Sequence, residues 1–204
     1  MPSRNIVRVD GDEQFYHVYG RGVNKSAIFL ELSDKDYFLY LLSRHLSIKP
    51  VVAKSGYAYP HYRDKVELLA YCLMDNHFHL LIYQRKIQYT SRLMQSVLTA
   101  YTVYFNRKNR RRGPLFESRF KSSLVDNDSY LDHVSRYIHL NPRSWKHYPY
   151  SSIIHIRKSS EPEWLHTDKI LVAHHDRQAY LRFVEDYEAA RDVLAELKCQ
   201  LADL

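Results

Sequence analysis

The first patterned stretch, Gln14 to Val23, reads QFYHVYGRGV. Aromatic and β-branched residues run up to a Gly-Arg-Gly, the pattern of a strand that ends where glycine frees the backbone. A helix is predicted next, because Tyr37, Phe38, Leu41, Leu42 and His45 recur at helical spacing. Ser33 can cap it, and Asp34 and Asp36 suit its positive end. Residues 48–65, with Gly56 and two prolines, read as a long connection. Two apolar runs follow, Val66 to Met74 and Phe78 to Tyr83, and the short polar junction between them predicts an antiparallel hairpin. Between Tyr89 and Arg110, Leu93, Val97, Ala100, Tyr101, Tyr104 and Phe105 trace a second helical stripe, stopped by Gly113-Pro114. RFKSSLVD reads as a short strand, and Asn127 or Asp128 can cap a third helix that runs to the breaker Pro142. The predicted order is β-α-β-β-α-β-α, and its first six elements match the α+β ferredoxin-like pattern, an antiparallel sheet with helices on one face. The chain divides into a main domain over residues 1–144 and a C-terminal extension over 145–204, irregular at first and then a long terminal helix.

Composition narrows the partners. With 204 residues, 45% of them hydrophobic, the chain can fill a core. Lys and Arg number 30 against 23 Asp and Glu, and the net charge of +7 favours an anionic partner such as nucleic acid. Eighteen tyrosines add rings that suit base stacking as well as packing. Cys72 and Cys199 are too few and too far apart for a disulfide framework or a cysteine metal site, so a reducing cytoplasm is expected. No stretch approaches the roughly 18 apolar residues of a membrane span, and the N-terminal residues hold no apolar segment; a soluble, unexported protein is expected.

The predicted hairpin carries a chemical oddity, for ELLAYCLMDNHFHLLIY places His77 and His79 one residue apart in an apolar setting. On a strand the two rings share a face while Phe78 points away. Each imidazole brings two nitrogens that must be hydrogen-bonded, exposed or ligated to a metal. A two-ligand metal clamp and a pair satisfied at a sheet edge both fit that spacing.

The surrounding residues add a resemblance. DNHFHLLI closely resembles the histidine-hydrophobe-histidine motif of HUH single-strand endonucleases, with Phe78 as the hydrophobe. RYIHLNP, Arg136 to Pro142, is similar to the nucleophile helix of the REP-associated tyrosine transposases, HUH enzymes with one catalytic tyrosine, and Tyr137 stands in that tyrosine's place. RGVNKSAIF from Arg21, RRGPLFESRFKS from Arg111, and the later YPYSS and DRQAYLRFVED resemble further segments of the family in the family's order.

The resemblance implies a metal-dependent endonuclease and strand transferase acting on single-stranded or hairpin DNA in a bacterial cytoplasm, as monomer or homodimer, through a 5′-phosphotyrosine at Tyr137. It implies that His77, His79 and Asn141 hold Mg²⁺ or Mn²⁺. Asn141 lies one helical turn beyond Tyr137 on the same face, and a helix cap before Pro142 is its other reading. Tyr130, two turns before Tyr137, is the rival nucleophile or a core residue, and His139 faces away from Tyr137. Arg110, Arg111, Arg112, Arg119 and Lys121, with Arg21 and Asn24, are candidates for DNA phosphates, although a solvated helix end accounts equally for the arginine run. Tyr57, Tyr59 and Tyr62 could stack on bases or pack their own loop. Two other functions are open: an inactive nucleic-acid-binding regulator, and a zinc hydrolase using the histidines with Asp75.

Overall fold

A computed structural model describes residues 10–187. Strands β1 (Gln14–Arg21), β2 (Val66–Leu73), β3 (His77–Gln84) and β4 (Lys121–Val125) form one antiparallel sheet in the order β2-β3-β1-β4. Helix α1 (Leu32–Leu46) links β1 to β2 and α2 (Tyr89–Lys108) links β3 to β4. This is the ferredoxin-like arrangement that the element order predicts.

Strand alternation decides what each face carries. Tyr16 and Val18 of β1 and Phe78, Leu80 and Ile82 of β3 turn toward α1 and α2 and form one core with Phe38, Leu41, Leu42, Val97 and Tyr101. Leu81, Cys72 and Ala70 turn the other way. They pack with Leu131, Val134, Tyr137 and Ile138 of α3 (Asp128–Leu140) and with Trp145, Ile153, Ile156, Ile170, Tyr180 and Val184. One covered face therefore describes α1 and α2 only, and α3 with the chain after it covers the other. The eight residues of β2, VELLAYCL, are all buried, which requires cover on both sides.

The residues after α3 include α4 (Ile153–Lys158), α5 (Asp168–Leu171) and α6 (Arg177–Asp186). They also close the outer edge of β2. Leu73 N donates to Tyr150 O at 2.9 Å, Ser152 N to Tyr71 O at 2.9 Å, and His166 N to Leu68 O at 2.8 Å. An edge strand that would otherwise offer free backbone groups is thereby paired within the chain. The expected terminal helix is α6 as far as Asp186; its remainder and Cys199 lie outside the described residues. Among the described residues no helix is long and apolar enough to cross a membrane.

Two local readings change. Helix α1 is capped by Glu31 rather than Ser33, and the buried Asp34 carboxylate accepts from Leu30 N and Glu31 N at 2.9 and 3.0 Å. Lys108 and Tyr104 of α2 also bind that carboxylate, so the cap joins the two helices. Gly20 and Gly22 are needed for space rather than for backbone freedom. A Cβ would stand 2.7 Å from the Phe78 ring at Gly20 and 2.1 Å from Ser26 O at Gly22. In the long connection, Val52 pairs with Ala58 around Gly56, Tyr62 is buried in the α1–α2 core, the Arg44 guanidinium lies over Tyr59, and Tyr57 stays exposed.

Candidate active site

Two elements present the site. β3 begins at His77, so His77 and His79 are its first two residues on the face toward α3. Helix α3 is capped by Asn127, whose Oδ1 accepts from Tyr130 N at 2.8 Å, and its Leu131, Val134 and Ile138 seat it on that face. Tyr137 is thereby held at 3% exposure, its ring edge-on to His79 with centroids 5.3 Å apart. Asn141 ends the helix and also reaches into the site: its Oδ1 lies 3.2 Å from His77 Nε2, and its side chain is hydrogen-bonded to the Tyr137 phenol. Burial pushes that phenol up to about 12, while the Asn141 hydrogen bond and, more weakly, the Arg21 charge pull it back.

The donor set suits a divalent ion. His77 Nδ1 stands 2.6 Å from Asn76 Oδ1, and its Nε2 faces Asn141 Oδ1. A neutral ring has one proton for two nitrogens, so with the proton given to Asn76, Nε2 and Oδ1 are two acceptors facing each other. Ligands about 2.1 Å from an octahedral ion stand about 3 Å apart, close to that separation. His79 Nε2 is buried with no hydrogen-bond partner among the described residues. Among the described residues no group of three or more His, Cys, Asp or Glu side chains is arranged to hold a metal, so an ion here would rest on two imidazoles and an amide oxygen.

Residues 57–141 match the family model described as "Transposase IS200 like". That match takes in 85 of the chain's 204 residues. That segment encloses His77, His79, Tyr137 and Asn141, and it leaves β1 outside. A solved structure described as a REP-associated tyrosine transposase bound to a REP hairpin resembles this chain with a TM-score of 0.52 at 13% identity, over 78% of this chain and 88% of that one. At that identity the likeness is one of fold. No curated protein matches the chain.

Strand β1, beyond the IS200-like segment, adds two groups. His17 is fully buried, and its Nε2 lies 2.9 Å from His79 Nδ1. No motif in the sequence marks His17; its place in an alternating strand, two residues before Tyr19, is the one signal it carries. Arg21 pairs in register with His77, and its Nε and Nη1 are buried without hydrogen-bond partners among the described residues. Guanidinium nitrogens left unpaired inside a site are placed to meet an anion.

The other basic candidates are scattered. Lys121 pairs with Tyr19, which puts it on the tyrosine face of the sheet. Arg111 closes its own turn, donating to Asn106 Oδ1 at 3.1 Å and Pro114 O at 2.8 Å. Arg110 and Arg112 are exposed beside it, and Arg119 lines a groove of about 640 Å³ against α2 on the opposite side of the sheet. The turn is nonetheless near the site, because Val23 N donates to Leu115 O and Glu117 N to Arg21 O. Asn24 is exposed in the short turn after β1, at φ 53°. Tyr130 packs half-buried on the second core, two turns from Tyr137. Asp75 is paired with Lys35 at 2.7 Å, so the carboxylate that a zinc hydrolase would use is already engaged.

His139 is buried and structural. Its Nδ1 is 2.7 Å from Tyr180 Oη and its Nε2 is 2.8 Å from Ser152 Oγ, tying α3 to α6 and to the covered edge of β2. Burial lowers both His139 and His17 from 6.5 to about 3. The folded protein keeps both rings neutral while the unfolded chain protonates them below about pH 6.5, so their contribution is full above that pH and is lost as pH falls toward 3. Each costs about 1.4 kcal/mol per pH unit. Denaturant unfolding of the metal-free protein at pH 7 and pH 5 is expected to differ by about 4 kcal/mol, and equal stabilities would contradict neutral buried rings.

Proposed function

We propose that the chain is a divalent-metal-dependent endonuclease and strand transferase for single-stranded DNA, acting on hairpins through Tyr137. The observation that carries this reading is the enclosure of one phenol between His79 and an Asn141 that also faces His77. Tyr137 Oη attacks a phosphodiester phosphorus. The O–P bond forms as the P–O3′ bond breaks, the phenolic proton leaves to solvent, and the departing 3′-oxygen takes up a proton. A 5′-phosphotyrosine and a free 3′-hydroxyl result. One phosphodiester has replaced another, so a 3′-hydroxyl of the same or another strand reverses the step without a nucleoside triphosphate.

A phenol raised to about 12 is seldom ionised near neutral pH. An Mg²⁺ or Mn²⁺ ion on His77, His79 and Asn141 would polarise the phosphate and stabilise the charge that develops on it, with imidazole ligands favouring Mn²⁺. Arg21 adds a fixed positive charge whose buried nitrogens would donate to the phosphate oxygens. Exposed Arg110 and Arg112, with Lys121, would hold the flanking backbone. The structural relative was solved on a REP hairpin, which supports hairpin DNA as the substrate class.

The test is incubation of the protein with labelled hairpin DNA bearing single-stranded flanks, and with the corresponding perfect duplex, in Mn²⁺, followed by a denaturing gel. A protein–DNA adduct is expected on the hairpin alone and none in EDTA, because stacking in a duplex resists the bend that in-line attack needs. Equal cutting of the duplex would overturn the reading, as would binding without any adduct, the behaviour of an inactive regulator. Arg21→Ala is expected to slow adduct formation about 100-fold, the order of a lost transition-state donor.

A further inference from the structure

We infer that His17 is a positioning residue: it supplies the acceptor for the Nδ1 proton of His79, so that a divalent ion can fix His79 in the tautomer that presents Nε2 to it. The inference rests on the metal site of the proposed function and concerns how that site is set. His17 is fully buried on β1, its ring stacked on His79 at 22° with centroids 5.1 Å apart. Its Nε2 and His79 Nδ1, 2.9 Å apart, share one proton.

That proton has two homes. When His79 Nδ1 donates to His17 Nε2, His79 Nε2 keeps its lone pair and can ligate. When His17 Nε2 donates instead, His79 carries its proton on Nε2 and cannot. The far nitrogens, His17 Nδ1 and His79 Nε2, are both buried without hydrogen-bond partners among the described residues. Either arrangement therefore leaves one donor and one acceptor unpaired, and the metal-free pair has nothing within it to choose between them. A cation meets the His79 lone pair in only one arrangement and so selects it. Each ring then moves its own proton from Nε2 to Nδ1, with no proton gained or lost by the pair. A carboxylate or carbonyl partner of a metal-bound histidine can only accept. An imidazole can do either, and this makes loading of the site depend on a tautomer change in a residue that does not touch the ion.

The test uses the full chain and Mn²⁺ alone, titrated calorimetrically into metal-free protein. His17→Phe keeps a ring and removes the acceptor, and its Mn²⁺ affinity is expected to fall 10–100-fold, the range for losing an outer-shell partner. His17→Gln offers an amide oxygen as acceptor and is expected to restore most of that loss. Thermal unfolding of both variants separates this from misfolding. Should the Phe variant fail to fold, ¹⁵N-histidine spectra of the wild-type protein decide: zinc, as a diamagnetic probe, should shift His79 to the Nδ1-protonated form. Undiminished affinity in His17→Phe, failure of a folded His17→Gln to restore it, or an unchanged His79 tautomer would overturn the inference. Wild-type protein that binds no Mn²⁺ would overturn the metal site itself and this inference with it.

Discussion

Tyr137→Phe is expected to abolish the covalent protein–DNA adduct, a fall on the order of 10⁴-fold or more for loss of a nucleophile, while affinity for hairpin DNA stays within about threefold. The substitution removes one oxygen. Tyr137 is 3% exposed and its ring is seated among α3, His79 and His17, contacts that a phenyl ring keeps. The fold and the basic surface therefore survive, and only the attacking atom is lost. The phenol's hydrogen bond to Asn141 also disappears, at a cost of about 1 kcal/mol in stability. Tyr130→Phe is the control. Its residue lies half-buried at the start of α3, about 10 Å along the helix from Tyr137. Adduct formation should be retained there, and the opposite outcome for the pair would show that the nucleophile has been misassigned. A denaturing gel with labelled DNA reads both variants, and gel mobility shift reads binding.

His77→Ala and His79→Ala are each expected to remove measurable Mn²⁺ binding and adduct formation together. Losing one of three protein ligands should cost more than the roughly 10–100-fold attached to an outer-shell partner. The two variants should differ in stability. His79 is fully buried, held well below its ordinary pKa first by burial and then by the charges of His17, His77 and Arg21, and its removal leaves a cavity and strips His17 of its contact. His77 is half-buried between Asn76 and Asn141, so its removal should be structurally milder. The ordering predicted is a lower thermal midpoint for His79→Ala than for His77→Ala, with equal loss of metal binding. Calorimetric titration with Mn²⁺ and a thermal scan check both parts. Full adduct formation by either variant in EDTA would leave the ion no role.

Much of this was legible in the chain itself. Alternating apolar residues in β1 and β3 and the helical stripes of α1, α2 and α3 specify the ferredoxin-like order, because a period of two or of 3.6 survives in sequence whatever the tertiary contacts. The same periodicity put His77 and His79 on one face and Asn141 one turn after Tyr137, and both relations hold in the structure. Tyr137 was preferred to Tyr130 on two grounds together, the Asn141 partner that helical spacing gives it and its place in the family's RYIHLNP motif.

Other features depended on the third dimension. Which side of the sheet α3 would cover was settled by β2, whose unbroken apolar run needs partners on both faces; the residues after Pro142 supply them, from distant parts of the chain. The positions of Gly20 and Gly22 answer to a ring and a carbonyl that only the packed fold brings near. Arg111, read as a phosphate contact, closes its own turn, since a side chain's partner is set by local geometry and not by its charge. His17 and Arg21 lie some sixty residues before the histidine pair, and only the register of β1 against β3 brings them to it. Hydrophobic spacing is written along the chain and can be read there, whereas a site assembled across strands exists only once pairing has chosen which distant residues face each other.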